Sequence, residues 1–262
     1  MSVPPYSLAE LMIVAASHTW AKDGEVMATG IGPLPRLAAG LCKLTENPLL
    51  AITDGECWYT SEPLPIGVSS LDGEVEGWSP YDRVFSGLWG GKRNVMVAPV
   101  QIDRFGQTNI SVIGEHARPK AAMLGARGFP GNSIHHPNSI FFTSHSKRSF
   151  VAGEVDYVCS AGYNPARYPG GRVLPGIDLQ LIVTDLAVLD FGGPDHAIRV
   201  VSLHPGISFD QVQDNTGFEL ARLDDLPLTP APTAEQLALI DRLDPNGQRR
   251  KVLKDDPAGD RR

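Results

Sequence analysis

Long hydrophobic runs are missing from this chain of 262 residues. No apolar stretch reaches the ~20 residues that span a bilayer as a helix. The opening MSVPPYSLAELM lacks the basic n-region, apolar h-region and cleavage site of a secretory signal. Cysteine is scarce: Cys42, Cys57 and Cys159 are odd in number, far apart and without CxxC spacing. That argues against a disulfide framework and for reduced thiols in a cytoplasmic protein. Positive charge is in deficit. A formal charge of -7 argues against nucleic acid or an anionic membrane as partner, because phosphate binding needs clustered Lys and Arg. It leaves room for a local basic site on an anionic ligand. The histidines form no metal pattern. His135 and His136 are adjacent, so in extended backbone they face opposite ways, and no HxxxH, HExxH, GxSxG or Walker spacing occurs. No metal site is expected.

What is present is a globular composition, 42% hydrophobic and 20% charged, with enough apolar material for a sizeable core. The 27 glycines and 22 prolines indicate tight turns and close backbone approaches. Ser7 to Glu10 is a capping box, and Leu8, Leu11, Met12, Ala15 and Ala16 follow at helical spacing, with Gly24 as a stop. Glu25–Thr29 reads as a strand, Pro33–Leu44 as a helix, and Leu49–Thr53 as a second strand. Ser79-Pro80 has the N-cap chemistry of a third helix, and Asn94–Pro99 reads as the third strand. Strands separated by helices predict an α/β fold with a mostly parallel sheet and flanking helices.

Beyond residue 100 the spacing shortens. Ile110–Ile113, Ser139–Thr143, Val155–Cys159, Leu181–Val183, Leu186–Phe191 and Ile198–Leu203 read as strands, the later ones as hairpins. Ser208–Asp214 and Thr233–Leu243 read as short capped helices. One domain is expected over 1–243, with a charged, flexible tail over 244–262.

Three places could carry chemistry. Gly30-Ile31-Gly32 stands between a strand and a helix, where free backbone N–H groups can meet an anion. Thr53-Asp54-Gly55-Glu56 ends the second strand and offers two carboxylates, or a capped turn. Gly125, Arg127, Gly128 and Phe129 lie in a glycine-rich loop in which Arg127 offers a fork of donors to a carboxylate or phosphate.

Longer strings carry a resemblance. Glu10 to Ala16, Asp23-Gly24 and Gly30-Ile31-Gly32 look like the opening of a β subunit of the class I CoA-transferase superfamily. Gln101 to Asn109 (QIDRFGQTN), His145 to Val151 (HSKRSFV), Leu203 to Gly206 (LHPG) and Asn215 to Gly217 (NTG) are similar to further signatures of that family. The resemblance runs in order from about Leu8 to Phe218. It implies a three-layer α/β fold, an α/β hetero-oligomer such as α2β2, and an acyl-CoA thioester as substrate. No cofactor is implied, since CoA is part of the substrate. Gln101 and Asn109 become candidate CoA contacts on the same ground.

In such transferases a β-subunit glutamate at the end of the second strand attacks the thioester. Here that position is Thr53, followed by Asp54. This departure resembles the branch of ring-cleaving hydrolases of late cholesterol and steroid degradation, which lacks the glutamate and whose acid–base glutamate comes from the α subunit. The resemblance implies hydrolytic opening of a cyclic β-keto CoA thioester. The alternatives are a CoA-transferase using Asp54 or Glu56, and a non-catalytic scaffold subunit.

Overall fold

The computed structural model describes residues 5–54, 57–67, 73–123, 125, 126 and 128–253. Gly55, Glu56, Arg127 and the last part of the expected tail lie outside them. Where the sequence suggests one domain, the chain groups into two compact units, one of Met1–Val97 with Pro230–Arg262 and one of Ala98–Thr229.

The first unit opens with α1 (Leu8–Ser17), and the capping box is made as read. Ser7 Oγ accepts from the Glu10 amide at 3.3 Å, and the Glu10 carboxylate accepts from the Ser7 amide at 2.9 Å. From Ala9 to Ser17 every residue is buried, so the helix is enclosed on all sides rather than amphipathic. A 3-10 turn brings in Trp20, fully buried, whose indole N–H donates to the Asn94 carbonyl at 3.1 Å. The chain then reverses at Gly24 (φ +66°), held by the Asn47 side-chain amide, which donates to the carbonyls of Trp20 and Gly24.

β1 (Met27–Gly30) leads through Gly32 into α2 (Pro33–Thr45). Gly30 is required by packing: a Cβ there would lie 2.2 Å from the Pro35 carbonyl oxygen. The second strand is shorter than its apolar run suggests. Ala51 makes one parallel bridge to Met27. The chain then leaves as β2 (Ile52–Thr53), which pairs antiparallel with β3 (Trp58–Thr60), itself paired with β4 (Val75–Trp78). α3 (Tyr81–Trp89) is capped at Pro80 with no side-chain bond, so Ser79 is not its N-cap. β5 (Arg93–Val97) pairs parallel with β1.

The second unit begins with two small hairpins, β6 (Gln101–Ile102) with β7 (Thr108–Asn109), and β8 (Val112–Ile113) with β9 (Ala121–Ala122). α4 (Phe129–His135) occupies what reads as a loop; Gly131 and Pro130 disguise it, but Pro sits in the first turn, where its missing N–H costs nothing. β10 (Asn138–Phe141) runs parallel to β11 (Leu179–Val183). β12 (Ala187–Asp190) and β13 (Arg199–Leu203) extend this as antiparallel hairpins. After α5 (Phe209–Asp214), β14 (Ala221–Arg222) adds to β13 in parallel. The mixed sheet with helices is the α/β class the pattern predicts, hairpins included.

Val155–Cys159 is not a strand. The Asp156 carboxylate accepts from the Gln101 side chain and the Gly114 amide, and the Asp156 amide donates to Gln101 Oε1. Backbone that satisfies itself on side chains has no ladder to join.

α6 (Ala234–Leu243) returns to the first unit with its own capping box at Thr233. The flexible tail expected from residue 244 is corrected over 244–253. A 3-10 turn at Gln248–Lys251 seats Arg249 at 2% exposure. Its guanidinium meets Glu10 Oε1 at 3.0 Å, Asp241 Oδ1 at 2.5 Å and Asp244 Oδ2 at 3.0 Å. The charge that reads as a solvated run is the means of burial, because its partner Glu10 projects from α1.

Candidate functional site

A cleft of about 430 Å³ opens in the first unit where β1 passes into α2. Gly30, Ile31, Gly32 and Thr53 all line it, so two of the three sequence candidates meet. Its walls are apolar, from Met27, Leu37, Ile52, Leu64, Ile66 and Leu243. Leu243 is fixed by a bond from the Ile66 amide to its carbonyl at 2.9 Å. Among the described residues no carboxylate, imidazole or thiol lines the cleft.

The GIG turn offers fewer donors than its composition suggests. The Ile31 amide is spent on the Met96 carbonyl at 3.0 Å. Pro33 and Pro35 have no N–H. The first amide to bond within α2 is that of Arg36, to the Gly32 carbonyl. The Gly32 and Leu34 amides are therefore the donors left without an intrahelical acceptor at this end. Gly32 holds φ +104°, a conformation that a side chain would disfavour.

Thr53 ends β2 with its neighbour already engaged. The Asp54 carboxylate accepts from the Trp58 amide at 3.1 Å, and the Asp54 amide donates to the Trp58 carbonyl at 3.0 Å. Asp54 thus caps the β2–β3 turn, the alternative left open by the sequence.

Two charged residues of the cleft are not marked by the sequence pattern. Arg36, in the first turns of α2, and Arg93, at the start of β5, both line it and are half-buried. Arg93 Nε donates to Thr29 Oγ1 at 3.1 Å. Burial pulls both guanidinium pKa values below the ordinary arginine range, opposed for Arg36 by Asp54 and for Arg93 by Tyr59. Nothing local marks either residue, since their meeting depends on the β1–β5 pairing.

The remaining candidates belong to the second unit. Asn109 is fully buried: its amide donates to Gln101 Oε1 at 2.7 Å and the Val112 carbonyl at 2.6 Å, and its oxygen accepts from the Ser111 and Val112 amides. Gln101 is tied in turn to Asp156. The pair frames its hairpin. Gly125 (φ +89°) and Gly128 lie before α4, Gly128 as its N-cap, and Phe129 is buried at its start.

The family-like strings also form frame. Asp103 of QID accepts from the Phe105 and Gln107 amides, and burial lifts its pKa to about 7. His145 bonds the Thr184 and Thr216 hydroxyls at 3.2 and 2.9 Å, while His204 bonds Thr229 Oγ1 and donates to the Thr184 carbonyl. HSKRSFV, LHPG and NTG therefore meet in one buried network around Thr184. Gly217 is enclosed, a Cβ there falling 2.4 Å from the Ala152 nitrogen.

No family model matches the chain. It is 40% identical over 242 residues to the cholesterol ring-cleaving hydrolase IpdB subunit of Rhodococcus jostii RHA1, covering 92% of this chain and 94% of that one. The chain belongs to the IpdB family. The crystal structure of Rhodococcus jostii RHA1 IpdAB superposes with a TM-score of 0.88 at 39% identity, covering 95% of this chain and 98% of the other. More distantly, a 3-oxoadipate CoA-transferase subunit of Pseudomonas knackmussii B13 is 31% identical over 246 residues, 91% of this chain and 94% of that one. The superfamily resemblance read from the QID, LHPG and NTG strings is thereby borne out. Among the described residues no cluster of His, Cys, Asp and Glu could hold a metal ion, and no helix is long and apolar enough to cross a membrane.

Proposed function

We propose that this chain is the β subunit of a hydrolase that opens the last steroid-derived ring of a cyclic β-keto CoA thioester. The observation that carries the proposal is a cleft furnished to hold but not to attack. The family resemblance puts Thr53 in the place of the transferases' nucleophilic glutamate, and among the described residues no carboxylate or imidazole lines the walls. A threonine hydroxyl is a weak nucleophile at its ordinary pKa. The base that activates water comes from an α subunit, in an α2β2 complex in the cytoplasm, with no cofactor beyond the substrate's own CoA.

The chemistry asks little of this half-site. Water adds to the ring ketone, the bond from that carbon to the α-carbon breaks, and the electron pair moves into the thioester as an enolate, which then takes a proton. Amides aimed at the developing charge lower that barrier. Of the two amides left over at this turn, that of Gly32 belongs to a residue that lines the cleft. The apolar walls suit the carbon frame of the acyl group.

The test is turnover of the reconstituted α/β complex in ¹⁸O-labelled water. One labelled oxygen in the newly formed carboxylate, without CoA transfer to added carboxylic acids, is expected. CoA transfer to an acceptor acid without label from water would replace the reading by a transferase.

A further inference from the structure

Most charged groups that the fold buries are answered. Arg249 is surrounded by three carboxylates, and Arg199 is bonded through two nitrogens to Asp190. Arg36 and Arg93 are different. Both line the apolar cleft, both are half-buried, and among the described residues no carboxylate comes within 4.0 Å of either guanidinium. Asp54 acts on Arg36 only from beyond that distance and is itself fastened to the Trp58 amide. Arg93 is aimed by its Nε bond to Thr29 Oγ1, which leaves the two terminal nitrogens for another acceptor. A cation withdrawn from water with no anion beside it is costly, and the cost is recovered when a ligand supplies the anion.

We propose that Arg36 and Arg93, which line one cleft, are the residues of this chain that bind an oxyanion of the ligand. The inference rests on the reading that the cleft takes an acyl thioester. The shared chemistry is a planar or tetrahedral oxyanion, from a free carboxylate on the acyl chain or from a phosphate of CoA. The apolar walls favour the acyl source, since Met27, Leu37, Ile52 and Leu64 suit a hydrocarbon that ends in a carboxylate and not a polyphosphate.

The experiment is calorimetric titration of the assembled α/β complex with glutaryl-CoA, pentanoyl-CoA and pentanoyl-pantetheine. These share a five-carbon acyl chain and differ in the carboxylate and in the phosphates. Arg36→Gln and Arg93→Gln should each weaken glutaryl-CoA by about tenfold or more, the scale of a charge-assisted hydrogen bond, and leave pentanoyl-CoA unchanged. Equal losses for both CoA esters, with none for pentanoyl-pantetheine, would assign the oxyanion to the phosphates. Unchanged affinity for all three in assembled variants would overturn the proposal. Should a Gln variant fail to assemble, Arg36→Lys and Arg93→Lys keep the charge but lose the fork, and a smaller loss confined to the same probe is expected. Wild-type complex that binds none of the thioesters would remove the acyl-thioester reading and this inference with it; thioester binding indifferent to both substitutions would remove this inference alone.

Discussion

Arg249→Met should be among the most damaging single changes in this chain, although it falls in a stretch that looks like solvated tail. The guanidinium is 2% exposed, Glu10 is 1% exposed and Asp244 is 2% exposed. Four of its hydrogen bonds reach buried carboxylate oxygens or the Asp244 carbonyl, at 3.0 to 3.4 Å. Methionine fills part of the volume but supplies no donor, so two buried carboxylates lose their cation. Removing one partner of a buried ion pair costs about 3–5 kcal/mol, against a total stability of roughly 5–15 kcal/mol for a domain. The half-exposed Asp241 can rehydrate and adds little. Urea unfolding monitored by fluorescence, with Arg167→Met as control, measures the difference. Arg167 pairs with Glu154 at 52% exposure, and its loss should cost less than about 1 kcal/mol. An Arg249→Met cost no larger than the Arg167→Met cost would refute the claim that this cluster anchors residues 244–251.

The two buried histidines give a signed pH dependence. Burial lowers His145 to about 3 and His204 to about 4 from 6.5, so the unfolded chain binds more protons below 6.5. Their stabilisation is present above pH 6.5 and is lost as pH falls toward 4 and 3. His204→Gln should flatten the stability slope between pH 6 and 5 by about 1.4 kcal/mol per pH unit, and an unchanged slope would contradict it. Asp103, raised to about 7, acts in the opposite direction, stabilising at acid pH and losing that contribution as pH rises through 7, so Asp103→Asn should steepen the acid loss. Gly30→Ala places a methyl 2.2 Å from the Pro35 oxygen and should destabilise strongly, whereas Gly131→Ala, with nothing within 4 Å, should be neutral or stabilise by up to about 1 kcal/mol in thermal melts. Asp54→Asn keeps an acceptor for the Trp58 amide, so kcat should fall by less than about tenfold; a loss of several orders would restore Asp54 as nucleophile.

Local signals were legible where local physics decides. The Ser7, Ser208 and Thr233 boxes announced three helices, and each is formed as read. Gly30 stands out in the sequence only as part of a GxG turn; the close approach of Pro35 that demands a glycine there is a matter of tertiary packing. Arg36 and Arg93 went unseen because a cation's role depends on what folds around it, and they stand far apart along the chain. Arg249 and Glu10 are 239 positions apart, so no window joins them. α4 was hidden by Gly and Pro, which lower helix propensity without forbidding a first turn.

The central claim is that no covalent CoA intermediate forms on this chain. Borohydride or hydroxylamine treatment of the reconstituted complex during turnover, followed by intact mass of this polypeptide, tests it directly. An unmodified mass is predicted; a reduced or hydroxamate-bearing carboxylate at Asp54 or Glu56 would contradict it.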